Sequence, residues 1–406
     1  MDVLYFHQHF STPAGSTGTR SYEMALRLIE KGHAVTIVCG SYGMGRTGLT
    51  GEFRSGKRRG LVDGIEVIEL ELPYENRHGF LRRSLVFLRF ALRSGWVALT
   101  ERYDVIFATS TPLTAAIPGI IGRIFRRKPF VFEIRDLWPE LPRAMGVITN
   151  PLILAPLGWL EWAAYRIADS CIGLSPGIVQ GIQSRAPANR HVALIPNGCD
   201  LEFFSVNSKR VESFKRGSKD DLVAVFTGAH GLANGLDSVI DAAMELKKRG
   251  RKDVKLVLIG DGMEKNRLRA LSEERELSNV TFLDPVPKTK LREILSDADV
   301  GLMILANVPA FYYGTSPNKF FDYIALGLPV VNNYPGWLAD MITEADIGIA
   351  IAPADNEQFA DALIYLAENP QRRKDMGARA RKFAEVTFDR QHLGEMFVEE
   401  LERVAR

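Results

Sequence analysis

Short apolar runs alternate with amphipathic stretches along this chain, in the order that builds parallel sheets. An apolar run over 3–7, a small-residue loop over 8–19, a helix over 20–31 and a second apolar run over 34–39 make a strand–loop–helix–strand unit. Runs at 65–70, 105–110, 130–135, 171–174 and 192–195 predict further strands, with a long helix over 80–100. Residues 41–64 are rich in Gly, Arg, Lys and Thr, have no periodicity, and predict a mobile surface loop. The pattern breaks over a polar, charged stretch at 196–219. It then restarts: strand 222–227, a Gly-rich loop, helix 236–249, strand 254–259, and strands at 280–283, 299–305 and 347–351. The expected fold is α/β, with two Rossmann-like parallel-sheet domains facing a central cleft. The domains are expected over 1–205 and 206–385, with a last helix over 386–406 that packs back on the first.

The stretch FYYGTSPNKFFDYIALGLPVVNN, residues 311–333, carries the clearest local chemistry. Gly314 to Pro317 read as a loop, a helix starts near Ser316 or Pro317, Gly327 stops it, and a short strand follows at 328–331. The free amides of a helix start, with the helix dipole, favour an anion. Lys319 adds a full positive charge there, with Ser316 and Asn318 beside it. Asp322 is placed to accept hydrogen bonds from hydroxyls. An anion holder beside a hydroxyl holder suits a nucleotide diphosphate and its ribose, and an ordinary capped helix has the same spelling.

Ligands of open α/β sheets bind at the carboxyl ends of the strands. The loops to consider are PAGSTGTR, with Gly15, Thr17, Gly18 and Thr19; GAHGLANG, with Gly228, His230, Asn234 and Gly235; and the turn with Gly260 and Asp261. Val286 lies in the next such loop. Small residues let a ligand approach the backbone closely. His230 suits donation to a phosphate, or is a solvent-facing loop histidine. EIRDLWPE puts Glu133, Arg135 and Asp136 together at a strand end, where a core does not want three charges. They read as a charged wall for sugar hydroxyls or proton transfer, with Trp138 as a flat surface for a sugar ring, or as a local ion pair.

Composition narrows this picture. The 406 residues allow two domains with real cores, and 46% apolar and 25% charged residues are ordinary for a soluble protein. A net charge of +2 names no partner, and nucleic acid is not expected. Cys39, Cys171 and Cys199 share no close spacing and read as reduced thiols. No secretory leader is expected before the first strand, and no apolar run is long enough to predict a span of a bilayer. No His/Cys/Asp spacing predicts a metal, and Asp297 and Asp299 read as turn residues. From Arg77 to Thr100 there is no acid. Arg82, Arg89 and Arg93 share one helical face, and Leu81, Leu85, Leu88 and Leu92 another. The arginine face suits an anionic membrane or a polyprenyl diphosphate, and equally suits a core helix with a solvated stripe.

SPNKFFDYIALGLPVV, with GHAVTIV, NVTFLDPVPKTKL and SDADVGLMI, resembles the family 4 glycosyltransferases of the GT-B fold, over nearly the whole chain. EIRDLWPE and GAHGLANGLD are similar to the branch that builds bacterial O-antigen and capsule repeat units, including N-acetyl-L-fucosamine transferases. The resemblance implies a retaining, metal-independent transferase with no cofactor. A UDP-sugar donor would bind mainly to the C-terminal domain and a polyprenyl-diphosphate-linked acceptor mainly to the N-terminal one, on the cytoplasmic face of the inner membrane. Where the family often has two Glu separated by seven residues, this chain has Gly314 and Asp322. The usual diphosphate-gripping Arg and Lys are replaced by His230 and Asn234, which shifts the expected charge onto Lys319. Arg135 and Asp136 fall near the place of the family's frequent cleft His. Two other readings stay open: a nucleotide-sugar 2-epimerase of similar fold, and a non-catalytic member that docks on membranes or partners.

Overall fold

The computed structural model describes residues 1–75, 79–204, 214, 218 and 220–406. Arg77 and the boundary expected at 205 and 206 lie outside them, as does the Phe80 side chain. The chain forms two compact units. One comprises Met1–Pro196, Tyr313–Ser316 and Gln391–Arg406, and the other Asn197–Tyr312 and Pro317–Arg390.

The strands of the first unit are β1 (Asp2–Phe6), β2 (Ala34–Tyr42), β3 (Lys57–Val62), β4 (Ile65–Tyr74), β5 (Val105–Thr109), β6 (Phe130–Ile134), β7 (Ser170–Gly173) and β8 (His191–Leu194). They lie in the order β3-β4-β2-β1-β5-β6-β7-β8, parallel except for β3. Sheets covered by helices on both faces need strands that are apolar throughout. Val3 to Phe6 and all of β5 and β6 are accordingly buried. Sequence order reverses between β1 and β5, so the loops after these two strands flank the unit's crevice.

The sheet corrects the expectation of a loop over 41–64. Residues 57–62 pair antiparallel with β4, Val62 opposite Ile65. Asp63 and Gly64 both have positive φ, 50° and 85°, as a two-residue hairpin turn demands. Asp-Gly was the available signal. Apolar periodicity is missing because β3 is a charged edge strand, with Arg59 bonded to Glu66 and Arg58 to Glu69.

The helix Arg390–Ala405 belongs mostly to this first unit. Phe397 meets Phe107 edge-to-face at 4.9 Å, and Glu400 holds Ser170 and His191. Burying Phe397, Val398 and Leu401 contributes on the order of 1.5–3 kcal/mol each.

The second unit has β9 (Leu222–Thr227), β10 (Val254–Ile259), β11 (Val280–Leu283), β12 (Val300–Met303), β13 (Val330–Asn332) and β14 (Gly348–Ala350). All are parallel, in the order β11-β10-β9-β12-β13-β14. The reversal falls between β9 and β12, beside the loop that follows β9. The helix Asn318–Ala325 starts after Pro317, without a side-chain cap, and ends before Gly327 at φ +71°. Strand β13 begins at Val330 rather than 328, since Pro329 has no N–H to give a ladder.

Candidate active site

Five helices carry a basic residue at their first or second position: Arg20–Glu30, Lys265–Glu274, Lys288–Leu295 and Arg390–Ala405 at the first, and Asn318–Ala325, with Lys319, at the second. A cation at the positive end of a helix is unfavourable unless something nearby holds it. Arg20 has Glu133. Lys265 has Asp284 at 2.6 Å and the carbonyls of Gly260 and Leu283. Lys288 lies 3.7 Å from Asp200 and 3.9 Å from Asp322. Arg390 reaches Asp200 at 3.4 Å. Lys319 contacts no carboxylate among the described residues. Its Nζ donates to Asn234 Oδ1 at 2.8 Å and stands 4.0 Å from the Phe226 ring centroid. Desolvation brings its pKa down from 10.5 to about 7. A half-buried cation with neutral partners is prepared for an anion.

The loops around Lys319 are close-packed backbone. A Cβ on Gly228 would sit 3.8 Å from Lys319 Nζ. Gly260, at φ +151°, has Gly228 O where a Cβ would need to be, 1.8 Å away. His230 N donates to the Asp261 carbonyl at 2.9 Å, which leaves the Asp261 carboxylate exposed. Gly235 closes the turn Leu232–Asn234 in a left-handed conformation. The structure thus brings Gly228, His230, Asn234, Gly235, Gly260, Asp261 and Lys319 together. Gly260→Ala is expected to destabilise the second unit by about 2–4 kcal/mol, read as a lower urea midpoint.

Two readings of this region change. His230 is not solvent-facing. It is buried, near Phe226 and Phe282, with neither ring nitrogen partnered among the described residues. Burial first, then Lys265, holds its pKa down at about 4, so it is neutral at pH 7 and offers a phosphate no charge. Asp322 is nearly closed off, and burial raises its pKa against the pull of Lys288 and Arg390. Val286 is half-buried in the loop before Lys288. By contacts Ser316 belongs to the first unit, and Asn318 opens the helix in the second.

In the first unit Arg20 was missed, although a cation opening a helix after a Gly-rich loop was the signal. It is 2% exposed. Its Nε and Nη2 donate to Glu133 Oε2 at 2.9 and 2.8 Å, and it also donates to the carbonyls of Ile195 and Pro196. Glu133 is fully buried, and its other oxygen accepts from Thr109 at 2.7 Å. Burial works to raise the Glu133 pKa, but Arg20 and Arg135 more than offset it and keep the carboxyl below the usual range. Glu133 is therefore committed to the fold and not open to sugar hydroxyls. Arg135 and Asp136 stay half-buried at the strand end. Arg135 Nη1 lies 3.3 Å from His7, itself held neutral by burial and then by Arg135. Asp136 accepts from Thr111 at 3.0 Å, and burial raises its pKa.

Gly15 is needed by the fold itself: a Cβ there would meet Ser11 Oγ at 2.2 Å and Arg46 N at 2.9 Å. Thr17 is half-buried with its hydroxyl unpartnered among the described residues, Gly18 is exposed and Thr19 buried. Trp138 is half-buried against the core. Asp297 and Asp299 accept backbone amides of Phe214 and Val223. Among the described residues no three His, Cys, Asp or Glu side chains gather as a metal site requires.

Comparison with known proteins fits this arrangement. Residues 15–198 match the glycosyl transferase 4-like domain and residues 208–383 the glycosyl transferases group 1. A D-inositol 3-phosphate glycosyltransferase of Corynebacterium urealyticum is 30% identical over 80% of this chain and 78% of its own length. A GDP-mannose-dependent mannosyltransferase acting on monoacylated phosphatidylinositol monomannoside, from Corynebacterium glutamicum, is 26% identical over 50% of this chain. An O-antigen chain mannosyltransferase C of Escherichia coli is 23% identical over 57%. The chain spans about half the length of these last two relatives, 53% and 59%. Among solved structures, sucrose-phosphate synthase from Thermosynechococcus elongatus has a TM-score of 0.74 at 16% identity, covering 99% of this chain and 98% of its own. Anabaena HepE in complex with UDP and glucose has 0.68 at 16%, covering 99% and 100%. The chain belongs to the group 1, family 4 glycosyltransferases and has their GT-B fold.

Proposed function

We propose that the protein moves a sugar, N-acetyl-L-fucosamine in the most specific form of this reading, from its UDP form to a sugar on polyprenyl diphosphate. Transfer proceeds with retention, in O-antigen or capsule repeat-unit synthesis, by a peripheral protein of the cytoplasmic membrane face. The observation that carries the donor site is Lys319, alone among the five helix-start cations in having no carboxylate contact among the described residues. The UDP in HepE and the O-antigen chain role of the Escherichia coli relative support the reading.

In the proposed mechanism Lys319 and the first amides of its helix, which have no intrahelical acceptor, meet the diphosphate as its charge grows on departure. No metal or cofactor is assigned a part. Asn234 holds the ammonium in place, the small exposed edge that Asp322 keeps takes the ribose, and the backbone at Val286 borders the base. Arg135 and Asp136 face the sugar or the acceptor hydroxyl, and the raised pKa of Asp136 brings it nearer to proton exchange.

Calorimetry with a UDP-sugar from pH 6 to 9 tests this assignment, because that diphosphate does not titrate in the window. Free Lys319 loses its proton near pH 7, while a bound diphosphate favours the charged form. Affinity is therefore greatest below pH 7. It is expected to fall up to about tenfold per pH unit above it, with proton uptake on binding. A flat profile removes Lys319 from the diphosphate. Epimerised sugar without transfer would replace the reaction.

A further inference from the structure

Eleven of the nineteen large apolar side chains exposed among the described residues lie on three helices of the first unit, Phe80–Thr100, Ala116–Phe125 and Pro151–Ile167. Exposed apolar residues scattered singly need no explanation, whereas a concentration does. On Phe80–Thr100 they are Leu81, Leu85, Leu88, Leu92, Trp96 and Leu99, one stripe at helical spacing, with Leu81 83% exposed. This stripe is not the core face. Val86, Phe90, Ala91, Val97 and Ala98 are buried on the other side. A surface helix in water turns polar residues outward, and this one turns leucine outward.

The neighbours extend the surface. Ala116–Phe125 packs alongside, where Gly95 lets Ile121 in close, and it ends in exposed Ile124 and Phe125. Pro151–Ile167 packs beside that helix and exposes Leu152, Trp159 and Trp162. The two indoles stack at 6.4 Å and 15°, with Arg166 over Trp162. The only acid on the three helices is Glu161, which is buried and paired with Arg185. Arg82 and Arg89 stand exposed along one flank of the leucine stripe. Arg93 is turned away, donating to the Gly56 carbonyl at 2.7 Å.

We propose that these three helices form one platform that inserts its leucine and tryptophan side chains into the interface of an anionic lipid bilayer. Charge complementarity commits the surface to that occupant: bases on helices that carry no exposed acid of their own meet lipid phosphates, and indoles suit the headgroup boundary. No helix among the described residues is long and apolar enough to cross a membrane, so the platform lies on the bilayer. The proposal deepens the membrane part of the function above and rests on it. The arginines alone would give adsorption that salt abolishes, while apolar insertion leaves a component that high salt spares.

Flotation with vesicles of phosphatidylethanolamine and phosphatidylglycerol, beside pure phosphatidylcholine, is the test. The full chain is expected to float with the anionic vesicles, in part even at high salt. Leu85→Ser/Leu88→Ser/Leu92→Ser, and separately Trp159→Ala/Trp162→Ala, are expected to lose at least about tenfold of that binding. These side chains are exposed, so folding by circular dichroism and UDP-sugar affinity should not move. The platform is overturned if the full chain ignores both vesicles, or if the leucine variant floats like the parent while Arg82→Glu/Arg89→Glu does not. It is equally overturned if the chain is a dimer on size-exclusion chromatography that the leucine variant splits, which makes the stripe a self-interface. UDP-sugar binding on the same samples separates the two readings. A parent chain that binds UDP-sugar and does not float sinks the platform alone, and a parent chain that floats and does not bind sinks the transferase reading alone.

Discussion

Lys319→Ala is expected to lower the turnover of glycosyl transfer by about 10²- to 10³-fold, with a smaller loss in UDP-sugar affinity. The asymmetry follows from when the charge appears. In the bound donor the oxygen that joins diphosphate to sugar is a neutral ester oxygen, and as the glycosidic bond breaks it takes the electron pair and a new negative charge. An ammonium beside that oxygen, in a pocket walled by Phe226 and the backbone of the loop after β9, acts where water screens little. Removing it leaves Asn234, which offers an amide in place of a full charge. Lys319→Arg is expected to recover part of the rate, limited by the width of the guanidinium. The fold should not suffer, because desolvating this ammonium opposes folding at neutral pH. Steady-state rates, UDP-sugar calorimetry and thermal melting on the three proteins check the claim. Turnover within twofold of the parent for Lys319→Ala would end it.

Which parts of this were legible follows from the kind of force at work. Apolar runs set the two sheets, since buried parallel strands have no alternative pattern to follow. Lys319 and the glycines around it were legible because a cation and small residues at strand ends are unusual in a core. The edge strand β3 was not, since Lys57 and Arg59 face water, Arg58 turns to Glu69, and no apolar period results, so only Asp63-Gly64 marked it. The environment of a single side chain was beyond reach. Nothing in GAHGLANG says that His230 turns inward to Phe226 and Phe282, because its place depends on Gly262 packed against its backbone and Gly260 packed against Gly228 and its ring. Arg20 and Lys288 were overlooked although each opens a helix, as Lys319 nearly does. Their partners Glu133 and Asp200 lie far away in sequence, and only the fold separates a neutralised cation from one available to a ligand.

Glu133→Ala should be the most destabilising of the site substitutions, at about 3–5 kcal/mol, or a melting temperature lower by roughly 10 °C. The pair Arg20–Glu133 is out of water on both sides, 2% and 0% exposed. Removing the carboxylate leaves a buried guanidinium with only the carbonyls of Ile195 and Pro196. Removing both charges is different: Arg20→Met/Glu133→Leu leaves no unpaired ion and is expected to recover more than half of the loss. The pH dependence has a definite direction. The folded pKa of Glu133 is depressed, so its contribution is complete above the unfolded value of about 4.3 and is lost as pH falls through the lower, folded value. Below about pH 4 the parent should therefore lose stability more steeply than the double variant. Binding of a UDP-sugar by the double variant should stay as in the parent, because this pair belongs to the first unit and Lys319 to the second. If Glu133→Ala instead melts with the parent yet loses transfer, the carboxylate acts on substrate and the pairing with Arg20 is incidental.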